Sequence, residues 1–208
     1  MRDFDEIIDT REKLRAIMDE PHELARRKVV SFLDKHSKAF IARSPFVLIS
    51  TCNQAGNMDI SPKGDPPGFV RILDQNTLAI PDRPGNNRAD SMENIIEAPN
   101  VGLFFLIPGK SETLRVNGTA CIVRDESLCN SMAVKGRSPE LAIVVRVEEV
   151  FFHCTKCIVR SKLWQQDQWP SLDGLPRLSE IIADIGKPDI SEADLNDIYV
   201  EDEKENLY

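Results

Sequence analysis

The chain has 208 residues, 41% of them apolar and 29% charged, with 26 Lys and Arg against 34 Asp and Glu for a formal net charge of −8. These values exclude global disorder and fit one domain large enough to bury a core without disulfides or a structural metal. The longest strongly apolar run, residues 101–107, is too short to span a bilayer, and the opening MRDFDEIIDT lacks the apolar stretch of an export signal. A cytoplasmic protein with no membrane partner is therefore expected.

The first forty residues carry helical spacing. Leu14, Ile17 and Met18 share one face of a first helix. Pro21 suits the first turn of a second, along which Val29, Phe32, Leu33 and His36 recur. Residues 1–44 read as a helical extension. After Pro45 the pattern changes to strands. Residues 46–52 and 101–107 are unbroken apolar runs, as in strands buried on both faces. A turn cluster at 53–57 joins the first run to a second hairpin arm at 58–63, and 64–68 is a breaker loop. Residues 69–73 and 77–80 flank a turn at 74–76. A polar loop at 81–88 leads to Asp90, placed to cap a helix with Met92, Ile95 and Ile96 on one side. Residues 113–123 alternate Leu114 and Val116 against Arg115 and Asn117, as a half-exposed strand does. A short helix at 125–135, a long strand at 141–152 and a helix at 153–164 follow.

Antiparallel strands in succession, with helices at the corners, indicate a small closed or nearly closed barrel over residues 45–165. Residues 166–208 form a C-terminal extension punctuated by Pro170, Gly174, Pro176 and Pro188. A helix is expected at 178–185, and another from a Ser191 cap to about Tyr199, with 201–208 frayed.

The charge is uneven. Residues 184–208 hold nine acids against Lys187 and Lys204, a net −7, which leaves −1 for residues 1–183. An evenly acidic chain would repel phosphate. Here nucleic acid is still not expected, but the nearly neutral body is open to a small anion.

Five cysteines, most of them in apolar runs, read as free thiols. Cys154 and Cys157 have the C-x-x-C spacing of a redox pair or half a zinc site. No second C-x-x-C or H-x-x-x-H completes a zinc site, so the plainer reading is two small apolar residues one helical turn apart. With only His22, His36 and His153 and no carboxylate pair at metal spacing, no metal centre is expected.

Three clusters could hold an anion. The first is PDRPGNNRADS, residues 81–91, with Arg83, Arg88, Asn86 and Asn87 running into a helix start. Two guanidinium forks and unpaired helix N–H groups suit a phosphate. The competing reading is a loop whose arginines pair with Asp82 and Asp90. The second is Ser61 and Lys63 at a strand end, a hydroxyl and a point charge. The third is the 153–164 segment, where Lys156 and Arg160 share a helix face and Trp164 either covers an aromatic ring or packs in the core. G-x-S-x-G, G-x-x-x-x-G-K-[ST], H-E-x-x-H and G-x-G-x-x-G are all absent. Anion-holding residues without reactive side chains suit a protein that positions a cofactor.

Residues 46–118, with SPKGDPPGFV and PDRPGNNR, resemble the pyridoxamine 5'-phosphate oxidase-like, FMN-binding split-barrel family, and HCTKCIVRSKLW extends the likeness to about residue 165. The resemblance implies a six-stranded antiparallel split β-barrel with flanking helices. It implies a homodimer with FMN at the subunit interface. Lys63, Arg83, Asn87 and Arg88 would then hold the FMN phosphate, supported by Ser61 and Asn86. Thr113, Arg115, Lys156, Arg160 and Trp164 would approach the flavin from the partner subunit. The implied activity is hydride transfer between a small substrate or NAD(P)H and FMN. A non-catalytic flavin- or haem-binding module and a deazaflavin-binding split barrel are the alternatives. Arg177-Leu178 is followed by Ser-Glu rather than the Ala-Pro of true pyridoxamine-phosphate oxidases, which argues against vitamin B6 oxidation.

Overall fold

The computed structural model describes residues 4–187 and 189–208. Seven antiparallel strands form one sheet: β1 (Phe46–Cys52), β2 (Met58–Gly64), β3 (Arg71–Ile72), β4 (Thr77–Pro81), β5 (Asn100–Leu106), β6 (Thr113–Val123) and β7 (Ala142–His153). Their order is β2-β1-β5-β6-β7-β4-β3. Among the described residues no ladder joins the two ends of the sheet, yet they lie close together. Just past β4, Arg83 Nε donates to Asp65 Oδ2, just past β2, at 2.6 Å. The result is a split barrel, mainly β with flanking helices. It has seven strands where six were expected, the shortest being the two-residue β3.

Alternation along each strand builds the interior. Val47 and Ile49 of β1, Leu103 and Phe105 of β5, and Leu114 and Val116 of β6 are buried in one cluster with Leu33, Phe40 and Ile41. The runs at 46–52 and 101–107 are not covered on both faces. Phe46, Leu48, Phe104 and Leu106 face outward and stay half-exposed, because nothing among the described residues covers that side. At Asn117/Gly118 the β6–β7 register shifts, and a Cβ on Gly118 would lie 1.9 Å from the Arg146 carbonyl oxygen. Only glycine permits that close approach.

The N-terminal helices differ from expectation. The first, α1 (Arg11–Ile17), buries nothing, and Leu14, Ile17 and Met18 are exposed. Pro21 lies before the cap of α2 (Glu23–Arg27), where His22 Nδ1 accepts from Leu24 N–H. The 29–36 periodicity is not one helix. Val30 pairs with Val150 of β7, and Asp34 caps a new helix, α3 (Lys35–Ile41), by accepting from Ser37 N–H at 2.8 Å. A local side-chain cap and a strand contact outweigh the apolar spacing.

Helix α4 (Asp90–Glu97) packs against β1, β2 and β6. Its N-cap position is Ala89 rather than Asp90, which sits in the first turn. Helix α5 (Glu126–Ser131) has the Asp125 cap. Helix α6 (Lys156–Ser161) is shorter than the expected 153–164, because His153 completes β7 opposite Thr113 and Lys162 turns left-handed at φ 52°.

In the C-terminal part, α7 (Leu178–Gly186) and α8 (Glu192–Glu205) pack on each other. Ser191 caps α8 as expected, but the helix continues well past Tyr199. Glu and Lys are good helix formers, and Lys204 lies in the last turn, where the macrodipole favours a cation. Residues 201–208 are therefore not frayed, and the Tyr208 hydroxyl donates to Asp65 Oδ1 at 2.8 Å. The breaker expected at Pro188 lies outside the described residues. Among the described residues no helix is long and apolar enough to cross a membrane.

Candidate anion-binding cleft at the barrel seam

Asp59, Ser61 and Lys63 of β2 sit opposite Thr51, Ile49 and Val47, which face the interior. At an edge strand that inner face has no further strand to cover it. It opens instead into a cleft of about 290 Å³ between β2, the segment after β4, and the start of α4. Ser61, Lys63, Arg83, Asn87 and Arg88 all line it. Two of the three clusters read from the sequence thus meet in one place. Asn86 stands behind the rim, where its Oδ1 accepts from Arg88 N–H at 3.1 Å.

Every cation of the cleft already faces a carboxylate. Arg88 Nε donates to Asp90 Oδ2 at 2.7 Å, with both side chains exposed. Lys63 Nζ lies 4.0 Å from Asp82. Arg83 is different: its partner is Asp65 rather than Asp82, their side chains are 15% and 1% exposed, and its Nη2 also donates to Met132 O. Burial pushes the Asp82 carboxyl above its ordinary range, and Lys63 opposes that only in part. The rim carries backbone strain, since Asn87 (φ 57°) and Ala89 (φ 56°) are both left-handed. Asn tolerates that region, but Ala has no side chain to compensate for it.

The third cluster does not line the cleft. Arg115 lies on the outward sheet face with its guanidinium 4.1 Å from the Phe151 ring centre and 3.4 Å from Glu149. Trp164 is half-exposed and donates from Nε1 to Lys110 O at 2.7 Å. Lys156 and Arg160 are exposed on α6. Thr113 Oγ1 and Arg115 Nε are buried without a hydrogen-bond partner among the described residues. Beside them, burial and then the charges of Arg115 and Lys28 lower the pKa of His153.

Sequence reasoning missed Asp59, Asp65 and Tyr208. Asp59 accepts from Ser91 Oγ at 2.5 Å and fastens α4 to β2. Asp65 stands two residues after Lys63 in the breaker loop, where a lone acid beside prolines reads as turn chemistry. Tyr208 also stacks 5.6 Å from the Arg83 guanidinium and accepts from Arg137 through its carbonyl. Nothing periodic marks that position.

Two measurements check this geometry. Asp65→Ala strands the buried Arg83 charge, and chemical denaturation is expected to show a loss of about 3 kcal/mol. For Asp82 the folded-state pKa is raised, so its stability contribution is full below its ordinary value of 3.8 and is lost as pH rises through the raised value. Asp82→Asn is therefore expected to raise the melting temperature over wild type near neutral pH, with the gap closing as pH falls towards 4, about the ordinary Asp value.

The sequence model of the pyridoxamine 5'-phosphate oxidase family matches residues 33–154. Among solved structures, HupZ of Group A Streptococcus shares 18% identity over 58% of this chain and 93% of its own, with a TM-score of 0.47. An FMN-binding protein of Syntrophomonas wolfei shares 8% over 56% and 80%, with a TM-score of 0.43. A Clostridium acetobutylicum protein related to general stress protein 26 shares 17% over 57% and 85%, with a TM-score of 0.41. No curated protein matches the sequence. The family match spans more than half of the chain and coincides with the sheet and the cleft, so this protein belongs to the pyridoxamine 5'-phosphate oxidase family.

Proposed function

We propose that the chain binds FMN with its phosphate in the seam cleft and acts as an FMN-dependent oxidoreductase between a small substrate or NAD(P)H and the flavin. One observation carries this reading: Ser61 and Lys63 from β2 and Asn87 and Arg88 from the 81–88 loop line the same cleft at the start of α4. A point charge, a guanidinium fork, a hydroxyl and a helix start are the donors a phosphate monoester takes.

The pairings decide which residue does what. Exposed ion pairs are weak, so Arg88 can leave Asp90 for a phosphate. Arg83 cannot leave Asp65 without stranding a buried carboxylate, so it fixes the cleft wall and offers only its unused Nη1. Asn86 holds the rim through Arg88 N–H. When bound, FMN supplies the hydride chemistry, and these residues bind and orient it. Thr113 and Arg115, with their unpartnered atoms, and Lys156, Arg160 and Trp164 are assigned to the flavin from the partner subunit.

A homodimer is part of the same proposal. Ile60, Pro62, Leu48, Phe46, Phe104, Leu106 and Phe151 fall on one outward sheet face by register, and none of them is fully buried. A second copy of that face is its natural cover. Light scattering is expected to give twice the 23.5 kDa chain mass. Ile60→Asp, at a position 64% exposed in the single chain, should give monomer with little change in monomer folding.

The purified protein is expected to be yellow and to release FMN on heating. A colourless protein without affinity for FMN would overturn the proposal. Arg88→Ala should weaken FMN binding by about tenfold or more, measured by flavin fluorescence quenching. A non-catalytic flavin-binding module is the second reading. It is favoured by the lining, where no histidine occurs among the described residues and Asp59, Asp82 and Asp90 are each engaged. Bleaching on anaerobic addition of NAD(P)H decides for the enzyme.

A further inference from the structure

Cys154 and Cys157 are not the packing residues that their helical spacing suggested. Both are exposed free thiols, whereas Cys129 is buried with its Sγ 3.8 Å from Glu140 O. Between the pair, Thr155 is right-handed helical (φ −74°, ψ −13°) and Lys156 begins α6. Two consecutive helical residues set the Cα atoms of Cys154 and Cys157 about 5 Å apart. That separation lies inside the roughly 4.4–6.8 Å range of disulfides. The segment is cationic: residues 151–166 hold Lys156, Arg160 and Lys162 and no acid. Such a segment draws negatively charged reactants.

We propose that Cys154 and Cys157 form a redox-active dithiol that exchanges with a small, negatively charged disulfide of the oxidised glutathione type. One cysteine thiolate attacks a sulfur of that disulfide, forming a mixed disulfide and expelling one small thiolate. The other cysteine then attacks the protein sulfur of the mixed disulfide, closing the Cys154–Cys157 bond and expelling the second. The two thiol protons pass to the two departing thiolates. The pair loses two electrons, and the small disulfide is reduced to two thiols. The new bond staples the junction of β7 and α6. This exchange does not depend on FMN.

The test equilibrates reduced full-length protein with mixtures of reduced and oxidised glutathione, followed by acid quench, alkylation and peptide mass mapping. Alkylatable thiols are expected to fall from five to three, with Cys52, Cys121 and Cys129 still alkylated. The peptide spanning residues 154–157 should be lighter by two hydrogens, and dithiothreitol should reverse the change. Cys154→Ser and Cys157→Ser should each stop at a single glutathione adduct on the remaining cysteine. Wild-type protein that likewise stops at adducts would overturn the proposal, as would oxidation confined to Cys121 while Cys154 and Cys157 stay alkylated.

Discussion

The buried ion pair between Arg83 and Asp65 is the constraint on which the rest of this fold depends. A split barrel leaves two strand ends facing each other without a hydrogen-bond ladder, and open strand ends are a liability unless something covers or ties them. Here one guanidinium ties the end of β2 to the end of β4 and reaches Met132 O as well. Because both side chains are largely buried, neither charge can be left alone without a large desolvation cost. The pair fixes where the 81–88 loop leaves β4, and with it the positions of Asn87 and Arg88.

The cleft that results has a stiff floor and a looser rim. Its floor is β2, held to α4 by the Asp59–Ser91 bond, while α4 is held to β1 by Asn94 Nδ2 donating to Thr51 Oγ1 at 3.0 Å. The rim is the left-handed Asn87 and Ala89 and the exposed Arg88–Asp90 pair. Strain and weak pairing gathered at one edge of an otherwise rigid pocket are what a ligand-responsive loop requires. The acids matter as much as the bases. With Asp59, Asp82 and Asp90 opposing Lys63, Arg83 and Arg88, the cleft lining carries no surplus positive charge, and the anion binding proposed for it rests on geometry.

Period-two patterns and turn residues made the sheet legible. Thr113–Val123 matches β6 residue for residue, and Phe46–Cys52 matches β1, because side-chain alternation and Asn/Gly turns are local properties. What those runs face is not local. FVLISTC is apolar on both sides whether the second side meets a helix, another sheet or another chain. The helices were less legible where short-range and long-range terms compete: Asp34 caps a new helix where spacing alone continued the old one. The loop 81–88 and the end of β2 were recognisable as anion-holding chemistry, and the fold brings them together. Of their ion-pair partners, Asp90 for Arg88 was recognisable from its place two residues away, whereas Asp65, rather than the sequence-adjacent Asp82, is chosen for Arg83 by the curl of the whole sheet. Family likeness supplied the flavin, which residue types alone reached only as an anionic cofactor.

The docking of Tyr208 has a consequence for the order of assembly. Its hydroxyl meets Asp65 across 143 positions of sequence, while β1 must wait for β5, and β4 for β7, before either finds its second neighbour. Contacts so distant along the chain close late and slowly. During synthesis the hairpin that carries Asp65 emerges early and Arg83 soon after, but the second oxygen of that carboxylate stays unclaimed until residue 208 has left the ribosome. The seam is thus begun at Asp65 and finished only once residue 208 has been made, and a chain stalled before that residue would hold a barrel whose edge is only half fastened.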